Sequence, residues 1–138
     1  MGVVTSRPSL ATVLLVEDDE DIAHALRIVL SHEGYDVSHM VRGEQALAAA
    51  GERDHDLILL DLGLPGMHGI KILHELRMLR CSTPVLVITA AADDHAEECA
   101  QRLGAVRFLR KPIAPGALVQ HVGQVLRGIE QPSESWRE

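Results

Sequence analysis

The residues of this chain best suited to joint chemistry stand directly after apolar runs. Glu17, Asp18 and Asp19 follow Val13-Leu14-Leu15-Val16, Asp61 follows Leu57-Ile58-Leu59-Leu60, and Thr89 follows Val85-Leu86-Val87-Ile88. Lys111 comes just after Val106-Arg107-Phe108-Leu109. Carboxylates about 4 Å apart repel by a few kcal/mol per pair at an effective dielectric of about 20, so such acids, once gathered, call for a cation. Oxygen ligands, few in number and with room left for water, describe a Mg2+ site better than a zinc site, which takes His or Cys.

The acids, hydroxyl and ammonium converge only if the apolar runs lie side by side with their ends at one rim. A fifth run, Tyr35-Asp36-Val37, completes the set, and each run precedes a stretch of helical period. The stripes are Ile22, Leu26, Val29 and Leu30; Ala46, Leu47 and Ala50 in a short segment from about Glu44; Ile72, Leu73, Leu76 and Leu79; Ala96, Cys99, Ala100 and Leu103; and Leu118, Val122, Val125, Leu126 and Ile129. The runs at 57–60 and 85–88 are apolar throughout, as in strands covered on both faces, whereas those at 35–37 and 106–109 admit a polar residue and are predicted at edges. Gly34 and Gly104 stand where helices stop, and Asp19 and Asp21 where the first one starts. Five strand-then-helix units predict an α/β fold, a doubly wound parallel sheet with right-handed crossovers that binds ligands at the carboxyl ends of its strands.

At 138 residues the chain has room for one domain, expected at 12–130 between flexible tails at 1–11 and 131–138. No apolar run approaches the roughly 18 residues of a membrane span. Thirteen basic against 20 acidic groups give −7, a field that repels phosphate backbones and anionic lipid, so neither direct nucleic-acid binding nor membrane insertion is expected. Cys81 and Cys99 cannot make a disulfide framework and nothing resembles a signal peptide, which predicts a cytoplasmic protein with reduced thiols. With one Tyr, one Phe and one Trp, the core must come from Leu, Val, Ile and Ala.

Other residues have plainer readings. The scattered His24, His32, His39, His55, His68, His74, His95 and His121 include no HExxH pair and are taken as solvated. Asp19 and Glu20 are first-turn acids, Asp56 is structural, and turn chemistry accounts for Pro65, Gly66 and Gly69. Phe108 is either core packing or part of the site. No phosphate-cradling glycine loop is present.

The runs LLVEDDE, LILLDLGLPGMHG, VLVITA and FLRKP, in this order and spacing, resemble the receiver domain of bacterial two-component response regulators, from Thr12 to Ile129. The resemblance implies a flavodoxin-like strand order 2-1-3-4-5, Asp61 as phosphoacceptor, Glu17 and Asp18 as acidic pocket, and the Gly63 backbone carbonyl as a further Mg2+ ligand. Thr89 and Lys111 would bind phosphoryl oxygens. Phe108 would be the switch aromatic, rotating into space that Thr89 vacates. The donor would be a sensor histidine kinase or histidine phosphotransfer protein and the readout a downstream protein partner, with the domain assisting its own phosphorylation and dephosphorylation and not acting as an enzyme. The chain would be a single-domain regulator or a receiver excised from a larger regulator or hybrid kinase.

Two other classes compete. A receiver-like adaptor would act without phosphorylation, which the complete acidic set opposes. A hydrolase of the haloacid dehalogenase type wants a second Asp two residues after the nucleophile, where Gly63 stands. Gly63 and Ala91 replace the polar side chains that orient an attacking water in fast-switching receivers, implying a longer phosphoryl lifetime. Winged-helix regulators pair their receivers through ion pairs that Val106, Arg107, Ala117 and His121 would not reproduce here. The expectation is a monomer, or a dimer through another face, with Arg107 meeting unpaired surface and the last two helices and last strand left free for a partner.

Overall fold

The structure, a computed structural model, describes residues 11–64, 67–90 and 94–128. The elements alternate as β1 (Thr12–Val16), α1 (Glu20–His32), β2 (Asp36–Met40), α2 (Gly43–Glu52), β3 (Leu57–Leu60), α3 (Gly69–Met78), β4 (Val85–Thr89), α4 (Asp94–Arg102), β5 (Arg107–Arg110) and α5 (Pro115–Leu126). Every strand pairing is parallel and the sheet order is β2-β1-β3-β4-β5, so the two polar-interrupted runs are indeed the edges. The expected tails and Ile129 lie outside the described residues, apart from Ala11, whose carbonyl accepts from the Asp36 amide at 2.9 Å.

Successive strand residues face opposite sides, which builds two apolar layers from unbroken runs. Leu14, Val16, Ile58, Leu60, Val85, Val87 and Phe108 pack with Ala46, Ala49, Ile72, Leu73, Leu76 and Ala100, on the side of α2, α3 and α4. Val13, Leu15, Leu57, Leu59, Leu86 and Ile88 pack with Ala23, Leu30, Leu118 and Val122, on the side of α1 and α5. Gly34 and Gly104 adopt the left-handed conformation (φ 95° and 86°), as helix-stopping glycines do.

Some local expectations shift. Leu79, expected in the buried stripe of α3, is 60% exposed, because the helix has ended and Leu79 is its C-cap. In α1, Ala23 is buried while Ile22, Leu26 and Val29 are half-buried, so the contact stripe is rotated by a residue. β2 runs on through Ser38 and His39 to Met40, in register with all of β1, because an edge strand tolerates polar side chains along its length.

Candidate functional site

Val16 lies opposite Leu60 in the β1–β3 ladder, so the next residue of each strand emerges at the same rim. The Asp61 amide donates to the Val16 carbonyl and the Glu17 amide to the Met40 carbonyl, each at 3.1 Å, which fixes both acids on sheet backbone. Glu17 and Asp61 are buried, with 2% and 7% exposure, and Asp18 is exposed. One carboxylate oxygen from each of the three lies within 4.8 Å of the other two, the one such grouping of possible ligands among the described residues.

The remaining members arrive from β4 and β5. Thr89 is fully buried at the end of β4, on the strand next to Asp61, where its hydroxyl favours the ionised form of that carboxyl. Backbone pairing continues past β5, where the Lys111 amide donates to the Thr89 carbonyl at 3.1 Å, and the Lys111–Pro112 bond is cis. Lys111 Nζ reaches Glu17 Oε1 at 2.7 Å and Asp61 Oδ2 at 3.0 Å. Gly63, exposed two residues past Asp61, donates its amide to Asp61 Oδ1 at 2.9 Å. Asp19, read as a first-turn acid, is instead the N-cap of α1: its Oδ1 accepts from the Asp21 and Ile22 amides at 3.0 and 3.1 Å. Its own amide donates to Glu17 Oε2 at 3.1 Å. Asp56 is structural, accepting from the Thr12 amide at 2.7 Å at the opposite end of the sheet.

Burial pushes the Asp61 carboxyl upward, but the Gly63 amide, the Lys111 ammonium and the Thr89 hydroxyl outweigh it and hold the carboxyl below its ordinary value. For Glu17 burial prevails over Lys111 and the Asp19 amide, helped by the neighbouring Asp61 charge, and the carboxyl lies above its ordinary value. Lys111 is raised: burial opposes its charge, and the two carboxylates more than compensate. The site thus favours the charged form of Asp61 and disfavours that of Glu17. The donor set of carboxylate oxygens around one ammonium, with no imidazole or thiol, fits a hard cation such as Mg2+.

Gly69, assigned to turn chemistry, has a steric role. A Cβ there would stand 2.3 Å from Leu62 Cα and 2.8 Å from the Asp61 carbonyl, so α3 can start against the segment that follows β3 only with glycine at that position. Pro65, Gly66 and Ala91 lie outside the described residues. Phe108 is 3% exposed and packs in the layer beneath α3 and α4.

Two expectations need correcting. Arg107 does not meet unpaired surface: it is 1% exposed, and its Nη1 reaches His121 Nδ1 at 2.9 Å and Gln124 Oε1 at 2.6 Å, tying β5 to α5. Alternation along β5 turns it inward under α5, a placement that its position in an otherwise apolar run could have signalled. The histidines are not all solvated either. His39 Nε2 lies 2.7 Å from the Glu17 carbonyl, and His121 is held by Arg107. His55 is buried with no partner for Nε2, and burial together with the Arg53 charge lowers its pKa.

A doubly wound parallel sheet with paired acids, a lone strand-end Asp, a Thr and a Lys at its ligand rim defines a phosphoacceptor-type α/β domain. Residues 13–123 match the model of the response regulator receiver domain, and the chain belongs to that family, a domain of two-component phosphorelay signalling. It is 38% identical over 123 residues to the DNA-binding response regulator MtrA of Mycobacterium tuberculosis, covering 88% of this chain and 54% of MtrA. It is 36% identical over 115 residues to the transcriptional regulatory protein YkoG of Bacillus subtilis, covering 83% of this chain and 50% of YkoG. The chain thus spans about half the length of these curated relatives. A CheY-like receiver domain protein of Methanospirillum hungatei superposes with a TM-score of 0.84 at 28% identity, covering 87% of this chain and 96% of that one. The BeF3-activated receiver domain of Klebsiella pneumoniae RstA gives 0.78 at 27% identity, covering 84% and 98%. The adaptor and hydrolase readings are not favoured by these matches.

Proposed function

We propose that Asp61 accepts a phosphoryl group from a phosphohistidine of a sensor histidine kinase or histidine phosphotransfer protein. An Asp61 carboxylate oxygen attacks phosphorus, the P–N bond breaks, and the departing imidazole keeps its electron pair and takes up a proton. The observation that carries the reading is that Asp61 alone joins a strand-end position to the Gly63 amide, the Thr89 hydroxyl and the Lys111 ammonium. A carboxylate is a weak nucleophile, so the work falls to positioning and charge neutralisation. Glu17, Asp18, Asp61 and the Gly63 carbonyl would hold Mg2+, which supplies neutralisation of the phosphoryl oxygens when bound. Lys111 holds Asp61 beforehand and a phosphoryl oxygen afterwards, and Thr89 donates to another.

Phe108 serves as the switch. Phe108 is buried in this structure, which supports a switch whose ring rests inward before any phosphoryl group is present. Phe has no hydroxyl to seek water, and burying its ring is favourable by roughly 2 kcal/mol, which biases the switch inward. The domain is cytoplasmic and passes its change to a protein partner through α4, β5 and α5. Seven excess negative charges set this domain against nucleic acid, but that exclusion extends no further than these residues, since relatives of twice the length are named DNA-binding regulators. Small residues at Gly63 and Ala91 favour a long phosphoryl lifetime.

Incubation with acetyl phosphate and Mg2+ followed by intact-mass analysis tests the assignment. One acid-labile phosphoryl group is expected on the wild type and none on Asp61→Asn; undiminished labelling of the variant overturns it.

A further inference from the structure

His95 and Cys99 stand four residues apart on α4, a spacing that makes side chains neighbours on one face of a helix. His95 Nε2 lies 3.7 Å from Cys99 Sγ, with His95 exposed, Cys99 partly exposed and its thiol free. A tetrahedral zinc ion, with Zn–S of about 2.3 Å and Zn–N of about 2.05 Å, holds its sulfur and nitrogen ligands about 3.5 Å apart. One ion therefore spans these two atoms with a few tenths of an ångström of adjustment and no change in the helix.

We propose that His95 and Cys99 form a binding site for a thiophilic divalent cation of the Zn2+ class, with water in its remaining positions. On binding, the Cys99 S–H bond gives its proton to solvent, metal–sulfur and metal–nitrogen bonds form, neutral His95 contributes the Nε2 lone pair, and the local charge falls from +2 to +1. Ligand softness separates this site from the acidic one: imidazole and thiolate select Zn2+, whereas carboxylates and water suit Mg2+. Chelation across one turn also pins the helical form of α4, whose nine residues are too few to be stable alone. A metal here would stiffen the element that lies between Thr89 and Phe108 in the chain.

The probe is Co2+, whose bond to thiolate gives a near-ultraviolet charge-transfer band, titrated into the reduced full chain in saturating Mg2+. One Co2+ per chain is expected, displaced by Zn2+, with the band absent in Cys99→Ser and unchanged in Cys81→Ser. His95→Ala should weaken binding at least about tenfold. No band in the wild type, a band that survives Cys99→Ser, or an affinity indifferent to His95→Ala overturns the proposal. Asp61→Asn should keep the band and Cys99→Ser should keep acetyl-phosphate labelling, so this site and the phosphoacceptor reading fail separately.

Discussion

Lys111→Met removes the charge between two carboxylates while keeping the length and apolar stem of the side chain. The repulsion between Glu17 and Asp61, whose ligand oxygens lie within 4.8 Å, is then left uncompensated, about 3.5 kcal/mol at an effective dielectric of about 20. Relief of the ammonium's own desolvation returns about 1 kcal/mol, leaving a loss of about 2–3 kcal/mol without metal. Protonating an ordinary carboxyl at pH 7 costs about 4 kcal/mol, slightly more than this repulsion, so the repulsion is felt mainly as lost stability. For a domain of this size the melting temperature should fall by roughly 10 °C in EDTA. Saturating Mg2+ should restore most of it, since a divalent cation takes over the ammonium's electrostatic role. The pH dependence should steepen as well. In the wild type the depressed Asp61 carboxyl contributes stability above the unfolded value of about 3.9 that is lost as pH falls through its folded value. The raised Lys111 contributes fully below about 10.5 and loses its contribution as pH rises through its folded value. Glu17, raised, opposes Asp61 by costing stability above its folded value. Without the ammonium both carboxyls lie high, so the variant should gain more stability from pH 7 to about 5 than the wild type, in which only Glu17 is raised. Thermal unfolding at both pH values, with EDTA or Mg2+, decides it; a variant as stable as the wild type in EDTA at pH 7, or one weakened by acidification over that range, refutes the reasoning.

Arg107→Met, which gives up two bonds of the guanidinium but also its desolvation, should cost about 1–3 kcal/mol in urea unfolding. Arg107→Glu turns a carboxylate toward Gln124 Oε1 and should cost about 3–5 kcal/mol; equal effects would show that the guanidinium is not bound as described. Gly69→Ala forces α3 off Leu62 and should lose at least about 2 kcal/mol together with phosphorylation rate, measured by thermal unfolding and acetyl-phosphate labelling. Arg80 holds φ 59° after α3, where glycine is unstrained; Arg80→Gly should therefore raise stability by about 0.5–1 kcal/mol by thermal unfolding, and a loss would contradict the cap geometry.

What the sequence made legible was whatever repeats. Unbroken aliphatic runs marked the central strands, polar interruptions marked the edges, and parallel topology then placed Glu17, Asp61, Thr89 and Lys111 at one rim without any knowledge of side-chain positions. What stayed hidden depended on contacts between distant segments. Gly69 looks like any loop glycine until α3 is seen against Leu62. His39 is unremarkable until β2 pairs with β1 and sets its ring beside the Glu17 carbonyl. Leu79 fits the helical period, yet period alone does not say where a helix ends.

Arg107 shows most clearly what pattern reading lacks, and it alters how the site must communicate. On β5, Arg107 and Leu109 face α5, while Phe108 and Arg110 face α4. Arg107 is bound to His121 and Gln124 of α5, and Arg110 Nη2 reaches Glu97 of α4 at 3.1 Å. Neither arginine is a loose charge held out for a partner; each ties β5 to a helix. The two ties differ in completeness. Glu97 is buried with its Oε2 unpartnered, and an unsatisfied buried oxygen costs about 1–3 kcal/mol. A shift of α4 that admits water to Glu97 recovers that cost, whereas a shift of α5 only breaks bonds to Arg107. On the proposed switch role of Thr89 and Phe108, strain passed through them should therefore be released on the α4 side of the strand, with α5 following β5 as one body.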